Sequence, residues 1–202
     1  MIELLNCDCM EYMATQPDNA FDLAIVDPPY GIGMADRAPC ARLARYGSVK
    51  QADSGMPTQE YFDELARVSN SRIIWGANYF QMPPTRCFII WDKQQPEGVS
   101  FASCEYAWTS FDKSAKTYYQ RPQNMDYTRI HPTQKPVNLY QWLLKNYAEP
   151  NQLILDTHLG SGSSAIAAHY YGCDFVGCEI DEDYYKAALN RFNEETKQAA
   201  MF

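Results

Sequence analysis

Between Gln152 and Cys178 the chain passes from an apolar run through a glycine turn into a helical pattern and then a second apolar run. This succession limits the fold more than any other feature. Gln152-Leu-Ile-Leu155 has the length and content of a buried strand. Ser161 to Tyr171 reads as a helix closed by Gly172, and Asp174-Phe-Val-Gly-Cys178 reads as the next strand. Strand, helix and strand in succession predict a parallel pair with a crossover helix. The same alternation runs through the rest of the chain. Asp22-Leu-Ala-Ile-Val26, Ser71 to Trp75, Arg86 to Trp91 and Cys104 to Phe111 read as strands by their β-branched and aromatic content. Pro57 suits the first turn of a helix running to about Val68. A helix after Pro136 carries Tyr140, Leu143, Leu144 and Tyr147 at i, i+3, i+4 and i+7, and a last helix starts near Asp181. The fold class expected is therefore α/β, a Rossmann-like sheet with helices on both faces. The 202 residues form a single domain with weakly patterned loops at about 31–56 and 94–134.

Composition narrows the setting. Hydrophobic residues make up 46% and charged residues 21%, which excludes a disordered chain. No run approaches the ~20 apolar residues of a membrane helix, and the N-terminus has no basic region ahead of an apolar one. The expectation is a cytoplasmic protein with no membrane partner. The seven cysteines are odd in number, Cys7-x-Cys9 is too tight for a zinc site, and Cys173 and Cys178 flank an expected strand with no matching second pair, so they are read as reduced thiols packed as small hydrophobes, with no metal. The net charge of −8 argues on average against a polyanionic partner, but the charge is unevenly spread. Arg37, Arg42, Arg45 and Lys50 occur with no acid between them, and from Asp112 to Lys135 five basic residues face two acidic ones. An acidic body with two basic loops can still hold a polyanion, because the loops alone need touch it. Arg37, Arg42, Arg45, Lys50, Lys113, Lys116 and Arg121 are the candidate phosphate contacts.

Two segments carry chemistry. In Asp156-Thr-His-Leu-Gly160-Ser-Gly162-Ser-Ser164, glycines let the backbone approach a ligand, and the following helix start offers unpaired N–H groups. About twenty residues on, Glu179 ends the next strand, where an acid accepts hydrogen bonds from a ribose diol in nucleoside sites. The turn lacks the third glycine of a dinucleotide fingerprint, which favours a nucleoside with a small charged tail. Asp156 can receive an amino group of such a tail.

The second segment is Asp27-Pro28-Pro29-Tyr30 at the end of a strand. Two prolines stop the ladder and stiffen the turn. They leave the Pro28 carbonyl beside the Asp27 carboxylate, two acceptors suited to an exocyclic NH2 group. Tyr30 adds a flat face for a ring.

Taken together, Asp27-Pro-Pro-Tyr30 and the Asp156…Gly160-Ser-Gly162 turn resemble the amino-methylating DNA methyltransferases that use S-adenosylmethionine. The catalytic motif precedes the glycine turn, which resembles the β-group order. Asn6-Cys-Asp8-Cys9-Met-Glu11, Ile74 to Tyr79, Trp91-Asp-Lys93 and His131-Pro-Thr-Gln-Lys-Pro136 also match, so the resemblance spans nearly the whole chain. It implies a catalytic group of Asp27, Pro28, Pro29 and Tyr30, with Asp27 and the Pro28 carbonyl on the target amino group and Tyr30 stacked on an extruded base. It implies that Asp8 and Cys9 meet the cofactor adenine, Glu179 the ribose, and Asp156, Gly160, Ser161 and Gly162 the methionine end. Lys135 and Asp27 are expected near the cofactor too. The chain departs from the family's Asp-Pro-Phe at the glycine turn, where Asp156-Thr157-His158 stands, and His158 is the flat substitute for the aromatic. Asp-Pro-Pro-Tyr implies adenine N6 in DNA. A short or relaxed base recognition is expected, since only loops are available to read sequence. Cytosine N4 and a nonenzymatic module that binds nucleic acid or S-adenosylmethionine remain open, as do the oligomeric state (monomer or homodimer) and a restriction-modification, phage or solitary role.

Overall fold

The computed structural model describes residues 1–31, 55–98, 102–122, 129–131 and 133–197. Arg37, Arg42, Arg45, Lys50 and most of the expected loop at 31–56 lie outside the described residues.

Eight strands form one sheet: β1 (Ile2–Asn6), β2 (Phe21–Val26), β3 (Ser69–Trp75), β4 (Phe88–Asp92), β5 (Cys104–Thr109), β6 (Lys116–Tyr119), β7 (Leu153–Asp156) and β8 (Asp174–Glu179). Their order across the sheet is β1-β8-β7-β2-β3-β5-β4-β6. Every described pair is parallel except the two that involve β5. All strands but β5 therefore end on the same edge of the sheet.

Helices cover both faces, as the alternation of the sequence requires. On one face α3 (Val137–Tyr147), α4 (Ser163–Tyr171) and α5 (Glu182–Lys197) pack on Leu23, Ile25, Ile73, Trp75, Ile154 and Phe175. On the other, α1 (Cys9–Ala14) and α2 (Gln59–Val68) cover Ala24, Val26, Ile74, Leu155 and Val176. Neighbouring residues of β2 thus enter opposite cores, which is why Asp22 to Val26 reads as a continuous apolar run rather than an alternating one.

Several boundaries differ from expectation. Pro57 lies ahead of α2, which begins at Gln59 behind Thr58. β1 and α1 carry no strong periodic signal. β1 is held by pairing with β8, and α1 is nucleated by Asp8, whose Oδ1 accepts from the N–H groups of Met10 (2.7 Å) and Glu11 (3.3 Å). Within the region 94–134, β5 corresponds to the strand expected at Cys104 to Phe111, whereas the short edge strand β6 lies where no strand is expected. Cys104 is exposed, unlike the buried Cys87, Cys173 and Cys178.

The strongest packing anchor is α3, whose Leu139, Leu143 and Leu144 are essentially inaccessible to solvent. Leu143→Ala is expected to destabilise the protein by about 2–5 kcal/mol through lost burial and an unfilled cavity. Urea unfolding, with an unchanged slope and a lowered midpoint, is the measurement that checks it.

Candidate active site

Chain connections leave the centre of the sheet in opposite directions. From β2 the chain goes to β3 on one side, and from β7 it goes to β8 on the other. β2 and β7 are nonetheless adjacent, with Leu23 opposite Ile154 and Ala24 opposite Leu155. The backbone N–H of Leu153 also donates to Asp22 Oδ2 at 2.9 Å, fastening the two strand starts together. Adjacent strands lie about 4.8 Å apart, so the corner after β2 and the glycine turn after β7 share one crevice. In open α/β sheets that divergence point is where ligands bind.

The corner is tightly organised. Asp27 Oδ1 accepts from the Tyr30 hydroxyl at 2.6 Å, and Oδ2 pairs with the Lys135 ammonium. Among the described residues the Pro28 carbonyl accepts no hydrogen bond. Tyr30 is not a free platform: its ring stacks on Tyr79 with centroids 5.2 Å apart and planes 20° apart, and meets Phe80 edge-on. Gly76, at φ 69, makes this possible, since a Cβ there would overlap the Tyr30 ring. Tyr79 is 42% exposed, so the outer aromatic surface of the pair belongs to it.

Lys135 does not sit at the glycine turn. Its side chain is 4% exposed, and its Nζ joins Asp27 to Glu105 Oε2 at 3.1 Å. Burial works against the charged form, but the Asp27 and Glu105 carboxylates outweigh it and raise the Lys135 pKa. Glu105 escapes notice in the sequence because it stands in no glycine or proline turn, and its second partner Lys93 (2.6 Å) is marked there only by the Trp91-Asp-Lys93 resemblance.

The glycine turn is equally fixed. Gly160 and Gly162 have φ 53 and 74, and Gly162 opens α4. Glu179 Oε2 accepts from the Gly160 N–H at 2.8 Å and Oε1 from the Asp181 N–H at 3.0 Å, so the acid ties its own strand end to the turn. Asp8 and Cys9 follow β1, whose Asn6 is the register partner of Glu179. Burial pushes the Cys9 thiol up to about 12, leaving it neutral. Ser161 turns inward. Its hydroxyl meets Ser163 at 3.1 Å, and its carbonyl accepts from Arg191 at 3.0 Å, another buried residue without a sequence signal. Asp156 Oδ1 accepts from the His158 N–H at 3.0 Å and Oδ2 from the Ser164 hydroxyl at 2.6 Å. His158 Nδ1 lies 2.9 Å from Thr157 Oγ1, which in turn meets the Tyr61 hydroxyl at 2.7 Å, and the imidazole stands edge-on to the Tyr61 ring. Burial lowers His158 and His131 to about 4, so both rings are neutral at neutral pH.

Asp8, Cys9, Glu179, Asp156, Gly160, Gly162, Asp27 and Tyr30 therefore gather along one edge of the sheet. Arg121 follows β6 on that same edge and is exposed. Lys113 and Lys116 do not join them. They precede or begin β6 at the opposite edge, where Lys113 packs on Phe111 and Tyr147 and Lys116 binds Asn146 Oδ1 at 2.5 Å.

This arrangement is that of a methyltransferase-type α/β sheet. Residues 82–190, just over half of the chain, match the family model described as DNA methylase of the N6/N4 methyltransferase type. The chain belongs to that family. It is 28% identical over 217 residues to YubD of Escherichia coli (strain K12), which is named as a candidate methylase, covering 95% of this chain and 90% of that protein. It is 24% identical to the type II methyltransferase M.BglII of Bacillus subtilis, over 99% of this chain and 71% of that protein. Similar folds include the complex of M1.HpyAVI with SAM (TM-score 0.61, 23% identity, covering 95% of this chain and all of that one). They also include the cytosine-N4-specific PvuII DNA methyltransferase (TM-score 0.63, 13% identity, covering 97% and 90%).

Asp156 is a buried acid raised by desolvation from 3.8 to about 7. A raised acid holds its proton more tightly when folded, so stability is highest below its unfolded pKa and falls as pH climbs through the folded one. Across that window the loss is roughly 4 kcal/mol. Asp156→Asn is accordingly expected to raise the melting temperature at pH 8 and flatten its decline between pH 5 and 8, as read by calorimetry. An unchanged decline would refute that role for Asp156.

Proposed function

We propose that this protein transfers a methyl group from S-adenosylmethionine to the exocyclic N6 of adenine in DNA. The observation that carries the reading is the shared crevice. A stiff corner bearing a carboxylate and a carbonyl that accepts no hydrogen bond among the described residues ends one strand, and a glycine turn with a buried acid ends its neighbour. Membership in the N6/N4 family supports amino methylation. The choice of adenine rests on the Asp-Pro-Pro-Tyr sequence, and cytosine N4 is the second reading because a cytosine-N4-specific enzyme shares the fold.

The residues at the glycine turn suit the cofactor. A cationic amino group beside Asp156 would relieve the desolvation that raises its pKa, and the left-handed glycines leave the turn open to a ligand. Glu179 would take the ribose diol and Asp8 and Cys9 the adenine, with the neutral His158 ring flanking them without opposing a cation. Bound there, S-adenosylmethionine supplies an electrophilic methyl group on a sulfonium sulfur.

The protein's task is to make a poor nucleophile attack. An exocyclic amino nitrogen delocalises its lone pair into the ring. Hydrogen bonds to Asp27 and the Pro28 carbonyl favour a tetrahedral nitrogen with a localised pair. The amino group must first take Asp27 Oδ1 from the Tyr30 hydroxyl, and the freed aromatic pair of Tyr30 and Tyr79 provides the surface for the extruded base. Positioning then does most of the work, with no strong base required, since the nitrogen proton becomes acidic only after methylation. Extruding the base costs a few kcal/mol, offset by stacking and by phosphate contacts that include Arg121. Recognition is short or relaxed.

Incubation with methyl-labelled cofactor and unmodified DNA is expected to label the DNA, with N6-methyladenine found by nucleoside mass spectrometry. N4-methylcytosine would establish the second reading, and no label would leave a binding module. Asp27→Ala is expected to lower transfer by about 10³-fold or more while cofactor affinity changes little. Near-normal turnover in that variant would remove Asp27 from the chemistry.

A further inference from the structure

Methyl transfer as proposed leaves two half-buried charged groups, Lys93 and Glu105, without a task. Glu105 stands near the start of β5, opposite Trp91 of β4. Lys93 follows β4, where its backbone N–H donates to the Ser103 carbonyl at 2.9 Å and carries the ladder past the strand end. Because β5 runs against its neighbours, its first residues lie on the same edge as the C-terminal ends of β2 and β4. Glu105 is thereby brought beside the crevice.

The four charges alternate without a gap. Lys93 Nζ meets Glu105 Oε1 at 2.6 Å, Glu105 Oε2 lies 3.1 Å from Lys135 Nζ, and Lys135 pairs with Asp27 Oδ2. Side-chain exposures are 16% for Lys93, 22% for Glu105, 4% for Lys135 and 15% for Asp27, so the inner pair has little water to share its charge with. Aromatic faces line the row, with Lys93 over Trp91 at 5.2 Å and Lys135 over Trp75 at 5.4 Å. A buried ammonium costs several kcal/mol to desolvate and needs well-placed anions to remain charged. Lys135 has two, and one of them is the carboxylate at the centre of the proposed chemistry.

We propose that Glu105, itself braced by Lys93, is a positioning residue for methyl transfer that holds the Lys135 ammonium against Asp27 Oδ2. This inference rests on the methyltransferase reading above. With Oδ2 engaged by a fixed cation, the Asp27 carboxylate cannot rotate, and Oδ1 is the oxygen that receives the target amino group. Without Glu105, Lys135 either loses its proton in a dry site or moves wholly onto Asp27. Both outcomes weaken Asp27 as an acceptor. The titratable groups facing Lys135 are Asp27 and Tyr30 from the corner, Glu105 from β5 and His131 from its own segment, while Tyr140 from α3 lies near Asp27 and Glu105. Pairing works in both directions: burial opposes the Glu105 charge, but Lys135 and Lys93 hold its pKa below the ordinary value.

The test is single-turnover methyl transfer from labelled S-adenosylmethionine to unmodified DNA as a function of pH, with cofactor affinity and melting temperature measured on the same samples. Glu105→Gln is expected to lower the rate by about 30- to 100-fold with cofactor affinity nearly unchanged. Because Lys135 loses an anion that raises its pKa, the alkaline limb of the rate profile is expected to move to lower pH by about one unit or more. Lys93→Met, at the outer end of the row, should shift the limb in the same direction with a smaller rate loss. Glu105→Asp should recover part of the rate. A Glu105→Gln enzyme within about threefold of the parent, or one slowed with its alkaline limb in place, would overturn the proposal. Should Glu105→Gln fail to fold, an unmoved limb in Lys93→Met would overturn it equally. A parent protein that transfers no methyl group sinks the underlying reading; active parent and unshifted variants sink this one alone.

Discussion

The pairing of β7 with β2 is the constraint on which the rest depends. The two strands lie far apart in the chain, yet Leu23 and Ala24 sit opposite Ile154 and Leu155, and the Asp22 carboxylate holds the first N–H of β7. Because connections diverge from this pair, no crossover blocks the space above it, and a crevice opens at the C-terminal edge. The stiff Asp27 corner and the Asp156 turn are brought to its two sides by strand geometry alone. A slip of one residue would turn Leu23 and Ile25 away from the α3–α4 face, so the burial that stabilises the sheet also fixes the register of the site.

Around that crevice the protein keeps several polar groups under strong desolvation. Asp156 is held partly protonated near neutral pH, His158 and His131 are neutral, and Lys135 is charged only because two carboxylates surround it. Such sites are costly to folding and are compatible with a stable domain only where the remaining core is dense. Both faces of the sheet meet that requirement, with Leu65, Leu139, Leu143 and Trp75 essentially inaccessible to solvent. Among the described helices none is long and apolar enough to cross a membrane. Among the described candidate phosphate contacts, Arg121 is exposed on the crevice edge, whereas Lys113 and Lys116 lie at the far edge against Asn146 and the aromatic rings of Phe111 and Tyr147.

Much of the candidate site was legible in the sequence because it is built from residues that act locally. Prolines at 28 and 29 end a strand wherever they stand, and glycines at 160 and 162 permit a turn that other residues resist. The helix faces of α3 and α5 follow from spacing alone. Asp27, Tyr30 and Asp156 could be singled out because each stands close to one of these punctuation marks, and Glu179 because it ends the next strand about twenty residues beyond the glycine turn. Glu105, Arg191 and Tyr61 could not, since each lies within an ordinary strand or helix and gains its partner only across the fold.

The sequence by itself thus determined the α/β class, the order of most elements and the two turns that carry the chemistry, through rules that operate over a few residues. The tertiary structure alone decided that β7 lies beside β2 and that the Tyr30 hydroxyl rests on Asp27. It also decided that Lys135 bridges Asp27 to Glu105, and that Lys113 and Lys116 lie at the edge of the sheet opposite the crevice. The physical reason is the same in each case. Strand neighbours, burial and charge partners are settled by groups far apart in the chain, and their energies exist only once the sheet has closed around them.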